Sequence, residues 1–128
     1  EGRMIRKDNL DERLIEMARE VVADTLDELP AEIGEPVSRV SVFVELEPTH
    51  EDWLNGIGRD WLGIFEGAEH SYSEYPTPPR IRLWVRNLWD FASKREDRFR
   101  EEVRVTLLHE IGHYLGLDEE GVARLGLE

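Results

Sequence analysis

The strongest pattern in the sequence is His109-Glu110-Ile111-Gly112-His113, continued by Tyr114-Leu115-Gly116-Leu117-Asp118-Glu119. Two histidines four residues apart on a helix lie on one face, so both imidazoles can reach a single ion. Zn²⁺ binds imidazole nitrogen, and catalytic zinc sites combine three protein ligands with an open position for water. The spacing therefore predicts that His109 and His113 are zinc ligands on one helix.

The residues around this histidine pair extend the pattern. Glu110 directly follows the first histidine, where a carboxylate can act as general base on the water that zinc activates. Gly116 can end the helix and turn the chain, and Glu119 then offers a third ligand. Asp118 is the alternative ligand, although it also suits the N-cap of a following helix. We predict one Zn²⁺ per chain, held by His109, His113 and Glu119.

Composition limits the remaining possibilities. The 128 residues include no Cys, so disulfides and thiolate zinc sites are excluded, and we expect one domain spanning 1–128. The formal net charge of −13 argues against a nucleic-acid partner and favours basic ones, unless it serves solubility alone. With no long apolar run and no leader-like N-terminus, we expect a soluble, cytoplasmic protein without a membrane partner.

The first part of the chain predicts a helix followed by a loop. Asn9 and Glu12 resemble a capping box, and apolar residues recur at helical spacing from Asn9 to about Leu29. Pro30, Gly34 and Pro36 are expected to end this helix and form a loop.

Three short strands are expected next, because apolar and polar residues alternate with a period of two in 40–46 and 80–86, and Leu62–Phe65 forms a short apolar run. We interpret the Arg80, Arg82 and Arg86 side of the last strand as a solvated or edge face. The segments between the strands, 50–59 and 70–79, lack a clean period, and His50 and His70 are expected at the surface of these loops.

The last part predicts the motif helix. A helical turn is expected at Leu88–Phe91, and Ser93 with Glu96 is expected to cap the next helix. Its buried stripe steps by four: Phe99, Val103, Leu107, Ile111 and Leu115. His109 and His113 lie off this stripe, and a short helix is expected from Asp118 to Leu125. The elements predict an α+β domain in which a small sheet of about three strands packs on both main helices.

Several segments together resemble the small bacterial zincin-like family of metallopeptidases. These segments are Leu62-Gly63-Ile64-Phe65-Glu66-Gly67, Pro79-Arg80-Ile81-Arg82-Leu83, the run from Glu101 to His113, and Leu115-Gly116-Leu117-Asp118-Glu119-Glu120. The resemblance implies a minimal zincin-like fold with a metal site on the His109–His113 helix.

The motif is also similar to that of the metzincin peptidases, with Glu119 where they carry His or Asp. Metzincins have a methionine turn below the metal, whereas the methionines here, Met4 and Met17, precede the motif. We therefore do not expect a full metzincin. A thermolysin-like site needs a glutamate on a further helix, for which the sequence after Glu119 offers no good candidate.

The predicted function is hydrolysis of a peptide or protein substrate, with Glu110 as general base. In zincins the substrate lies along an edge strand, and Arg80–Arg86 is the strand expected to bind it. Tyr72, Tyr75 and Tyr114 are candidate hydroxyl donors to the transition state, although packing or surface roles suit them as well.

Two alternatives remain open. A zincin-like scaffold can bind a partner without catalysis, because a fold does not guarantee activity. Bacterial metal-dependent endoribonucleases of the rRNA-maturation type share the spacing of the two histidines and resemble the stretch His113–Asp118. They carry a third histidine where Glu119 stands, and the negative charge of this chain disfavours RNA chemistry.

Overall fold

The computed structural model describes residues 2–67 and 78–124, without the side chains of residues 2–8, 119, 122 and 124. The elements in chain order are α1 (Gly2–Asp27), α2 (Ala31–Val37), β1 (Ser41–Glu45), α3 (His50–Leu54), β2 (Gly63–Glu66), β3 (Arg80–Trp84), α4 (Val85–Phe91), α5 (Glu96–Tyr114) and α6 (Glu119–Arg124). Among the described residues, no helix is both long and apolar enough to cross a membrane.

The three strands form one mixed sheet in the order β1-β3-β2. β1 runs parallel to β3, with Val42 opposite Ile81 and Val44 opposite Leu83. β2 runs antiparallel to β3, with Phe65 opposite Ile81. β3 is therefore the central strand, paired on both sides, and the expectation that Arg80–Arg86 binds a substrate strand is wrong. Within the described residues, the sheet edges belong to β1 and β2.

One face of the sheet packs on α1 and α5. Ile81 and Leu83 project from β3 into this core and are fully buried. The core is completed by the α5 stripe Phe99, Val103, Leu107 and Ile111 and by Leu14, Met17 and Ala18 of α1. The predicted α+β architecture, with a three-stranded sheet on two main helices, is confirmed.

The opposite face of the sheet carries a buried arginine. Arg82 is only 8% exposed, so the predicted solvated face is wrong at this residue. Its guanidinium donates to Asp52 Oδ2 at 2.7 Å, to Glu45 Oε1 at 2.9 Å and to Glu66 Oε2 at 3.4 Å. A buried charge is tolerated only when it is paired and hydrogen-bonded, and carboxylates from three elements meet that requirement here.

Several local predictions fail. Helix α1 begins at Gly2 rather than at Asn9, so Asn9 lies inside the helix and does not cap it. The segment after Pro30 forms the short helix α2, which contains Pro36. The stretch expected to be aperiodic after Pro48 begins with α3, whose N-cap Thr49 forms a capping box with Asp52. Ser93 does not cap α5, because its φ of 57° places it in the left-handed region before the helix begins. The expected loop at 70–79 lies mostly outside the described residues.

Candidate metal centre

The end of α5 is fixed by a glycine, as predicted. Gly116 adopts a φ of +75°, which a residue with a side chain rarely takes. The Leu117 amide donates to the Gly112 carbonyl at 2.9 Å, and the Gly116 amide donates to the His113 carbonyl at 3.0 Å. These two bonds define a Schellman motif, which ends the helix at Tyr114, with Leu115 as the C-cap, and turns the chain towards α6.

The core stripe of α5 sets the direction of the two histidines. Since Leu107 and Ile111 face the core, His109 and His113 project from another side of the helix, where His109 is half-buried and His113 is exposed. Their ring centroids lie 4.6 Å apart with an interplanar angle of 65°. The predicted placement of both imidazoles on one face, off the core stripe, is confirmed.

Glu110 completes a cluster with this pair. The Oε1 atom of Glu110 lies 3.2 Å from Nδ1 of His113, and Glu110 itself is only 8% exposed. One potential ligand atom from each of His109, Glu110 and His113 lies within 4.8 Å of the other two. The two imidazoles are donors that suit Zn²⁺, and the Glu110 carboxylate lies close enough to act on a water bound beside them.

The two candidates for a third ligand differ in their surroundings. Oδ1 of Asp118 accepts a hydrogen bond of 2.7 Å from the Gly121 amide, three residues later. Asp118 thus caps α6, which begins at Glu119, so the capping role expected for it is confirmed. The Glu119 side chain lies outside the described part of the structure, and its role as third ligand stays a prediction.

A cleft of about 580 Å³ is lined by His109 and Glu110 of the motif. Its floor is formed by one side of α5, from Glu102 to Glu110, and includes His109. Residues 60–63, which lead into β2, and Phe91 at the end of α4 also line it. The buried carboxylate of Glu110 therefore lies beside a space that a ligand can occupy.

The edge strand comes close to the helix because of a glycine. A Cβ on Gly63 would lie 2.9 Å from the Arg82 carbonyl oxygen and 3.0 Å from Cγ2 of Thr106. Only a residue without a side chain fits between β3 and α5 at this point. Gly63 thus brings the start of β2 to the edge of the cleft beside the motif helix.

The remaining candidates lie elsewhere. Tyr114 is buried, its hydroxyl donates to the Pro36 carbonyl at 3.0 Å, and burial raises its pKa, so the packing alternative describes it. His50 is exposed as expected, and its ring stacks on Trp53 with centroids 5.7 Å apart. Tyr72, Tyr75 and His70 lie outside the described residues.

Sequence reasoning missed the cleft walls. Trp61 and Phe91 are large apolar residues that line the cleft, but neither was named as part of the site: Phe91 was assigned only to a helical turn. Gly63 was noted only as part of a short strand and of a family-like stretch. A glycine beside two apolar residues at the start of a strand was the available signal for a close approach.

Fold and site together define a class: a small α+β protein in which helix α5 carries His109, Glu110 and His113, and a cleft is lined by the first two of them. A profile of the zincin-like metallopeptidase family matches residues 37–127, and the chain belongs to this family. It is also similar to polyketide synthase PksL of Bacillus subtilis (strain 168), with 33% identity over 95 residues. That match covers 73% of this chain but 2% of the synthase.

Proposed function

We propose that the chain is a zinc-dependent metallopeptidase in which His109, His113 and Glu119 hold one Zn²⁺ and Glu110 is the general base. The observation that carries this proposal is the position of Glu110: a buried carboxylate 3.2 Å from His113 that also lines the cleft beside His109. Membership of the zincin-like metallopeptidase family supports the choice of reaction and metal.

Zinc and Glu110 would have different roles in peptide hydrolysis. Bound zinc would supply a Lewis acid that acidifies water and polarises the peptide carbonyl. Glu110 accepts a proton from the water as the water oxygen attacks the carbonyl carbon. It delivers that proton to the amide nitrogen as the C–N bond breaks, releasing a carboxylic acid and an amine. The contact with His113 and the burial of Glu110 restrict its movement between these two transfers.

The strand best placed to hold the substrate backbone is β2. Within the described residues, β2 pairs with β3 on one side only, so its other side offers free amide and carbonyl groups. Gly63 of this strand lines the cleft together with His109 and Glu110. An extended peptide that pairs with this edge would place its carbonyl groups beside the motif helix.

The lining of the cleft also weighs against RNA as the substrate. Three of its side chains are acidic, namely Asp60, Glu102 and Glu110, and no lysine or arginine lines it among the described residues. Phosphate groups would be repelled at such a surface. The acidic lining therefore favours the peptidase proposal over the endoribonuclease alternative.

The test is Glu110→Gln, compared with Glu101→Gln, which changes an exposed glutamate on the same helix. Each protein is loaded with zinc, its metal content is measured by mass spectrometry, and cleavage is followed on a library of internally quenched peptides. We expect Glu110→Gln to keep its zinc and to lose about 10²–10⁴-fold in kcat/KM, as expected for loss of a general base. Glu101→Gln should match the wild type.

Two results would contradict the proposal. Undiminished hydrolysis by pure Glu110→Gln protein would remove Glu110 from the mechanism. Zinc-loaded wild-type protein that cleaves no peptide in the library would support a partner-binding scaffold instead.

A further inference from the structure

The end of the cleft away from His109 is lined by exposed aromatic side chains. Trp61 is 42% exposed and Phe91 is 61% exposed, although both are large and apolar. Both line the cleft, and so does Val105 of α5. Exposed apolar side chains that converge in a concave space are typical of a binding site for an apolar group.

The aromatic end has a definite direction along α5. Gly63 approaches Thr106, and the Phe65 ring meets the Tyr114 ring at 5.7 Å, so β2 and α5 run in the same direction. Residues 60 and 61 therefore lie towards Glu102 rather than towards His113. Seven residues of helix separate Glu102 from His109, a distance of roughly 10 Å, or about three residues of an extended peptide.

This same end is acidic. Asp60 and Glu102 line the cleft with the two aromatic residues, and neither takes part in an ion pair within the described part of the chain. An unpaired carboxylate beside apolar surface favours a cationic side chain with an aliphatic stem, such as lysine or arginine. The net charge of −13 acts in the same direction at longer range.

The aromatic wall is held in place before any ligand binds. The side-chain amide of Asn87 in α4 donates to the Arg59 and Trp61 carbonyl oxygens, each at 2.8 Å. These bonds fix the backbone of the loop that carries Trp61. A preorganised wall loses less conformational entropy on binding than a mobile one.

From this juxtaposition of Trp61, Phe91, Asp60 and Glu102 at the end of the cleft away from His109, we propose a substrate class. The cleft selects peptides that carry a bulky apolar side chain and a lysine or arginine at neighbouring positions, about three residues from the cleaved bond. The cleavage part of this inference rests on the proposed function, whereas peptide binding does not depend on turnover.

The test uses four labelled peptides of equal length that differ at two neighbouring positions, about three residues from the intended cleavage site: Phe or Ala at one, and Arg or Glu at the other. Binding is measured by fluorescence anisotropy on Glu110→Gln protein loaded with zinc, and cleavage is measured on the wild type. We expect the Phe–Arg peptide to bind at least about tenfold more tightly than the Ala–Glu peptide. Glu102→Lys should reverse the preference for Arg over Glu, and Trp61→Ala should remove the preference for Phe.

Matched controls separate a local effect from a global one. Glu101→Lys makes the same change in net charge next to Glu102 but outside the cleft lining, and Trp53→Ala removes a tryptophan of similar exposure, 46%, elsewhere. Both should leave the ratios of peptide affinities unchanged.

Equal binding of all four peptides, or an equal response to Glu101→Lys, would overturn the inference even if the wild type cleaves peptides. The expected preferences without any cleavage would sustain it and defeat the peptidase proposal.

Discussion

Nη2 of Arg82 donates a hydrogen bond of 2.7 Å to Oδ2 of Asp52, which joins the central strand to the short helix α3. The same aspartate accepts from the Thr49 amide at 2.9 Å and so caps α3 as well. The hydrogen bond from Arg82 is the main cause that lowers the Asp52 pKa from 3.8 to about 2. One carboxylate therefore connects a helix end, a buried cation and the sheet.

The low pKa of Asp52 predicts how stability depends on pH. A carboxyl group with a depressed folded-state pKa stabilises the fold above its unfolded pKa of 3.8, and the contribution is lost as pH falls towards about 2. The shift corresponds to about 2 kcal/mol. We expect Asp52→Asn to lower the free energy of unfolding by about this amount at pH 7, and the difference from wild type to shrink between pH 4 and pH 2, measured by urea unfolding.

The control for this experiment is Asp24→Asn, which changes an exposed aspartate on α1. Its difference from wild type should be small at every pH. If the difference in unfolding free energy between Asp52→Asn and wild type stays the same down to pH 2, the pairing of Asp52 with Arg82 is not the cause of that difference.

Hydrophobic periodicity predicted most of the architecture. The period of four in Phe99, Val103, Leu107 and Ile111 marked the buried side of α5, and the alternation around Val42 and Leu83 marked the strands. Strand order was not predictable in this way. Alternation indicates which side chains share a face, but it does not say which strands are neighbours, so the central position of β3 and the burial of Arg82 were missed.

The candidate site, too, was predictable from the sequence only in part. His109, Glu110 and His113 belong to one helix, so their spacing in sequence determines their proximity in space. The cleft walls come from residues 60–63 and from Phe91, which the fold brings to α5 from other elements. No local sequence pattern predicts that these segments pack against α5. Within them, Gly63 is the one residue whose type indicates a close approach of two backbones.

Gly63→Ala is expected to displace β2 from α5. The new methyl group would lie 2.9 Å from the Arg82 carbonyl oxygen and 3.0 Å from Cγ2 of Thr106, and backbone cannot move away as a flexible side chain can. Overpacking of this kind costs about 1–3 kcal/mol. Urea unfolding should show this loss, and peptide cleavage should fall by more than the unfolded fraction explains, because the strand edge moves.

The matched control is Gly34→Ala in α2, where the added Cβ meets no atom within 4 Å apart from its own neighbours along the helix. There the substitution should be neutral or stabilising, by up to about 1 kcal/mol. Thr106→Ser combined with Gly63→Ala should recover part of the loss. If Gly63→Ala is as stable and active as the wild type, β2 and α5 are not packed as closely at residue 63 as the structure shows.

Asn87→Ala should loosen the loop that carries Trp61. It removes two hydrogen bonds of 2.8 Å, each contributing about 1 kcal/mol. We expect faster amide hydrogen exchange at residues 59–62 and weaker selection of Phe over Ala peptides, with zinc binding unchanged. Ser38→Ala removes a side-chain-to-backbone bond in another part of the chain and should alter neither quantity. Slow exchange retained in Asn87→Ala would show that the loop is held by other contacts.

The third zinc ligand can be identified by comparing two adjacent carboxylates. Asp118→Asn keeps an oxygen that can accept from the Gly121 amide, which Asp118 Oδ1 contacts at 2.7 Å, so α6 should keep its cap. Glu119→Gln removes the charge from the residue that we propose as ligand. Loss of a direct ligand should weaken zinc binding at least as much as loss of a supporting contact, by about 100-fold or more.

Titration against a competing chelator should therefore show a large fall in zinc affinity for Glu119→Gln and a change of only a fewfold for Asp118→Asn. The reverse order would assign the ligand to Asp118 and make its hydrogen bond to Gly121 a feature of the metal-free state. Equal and small effects would leave His109 and His113 to bind the metal without either carboxylate.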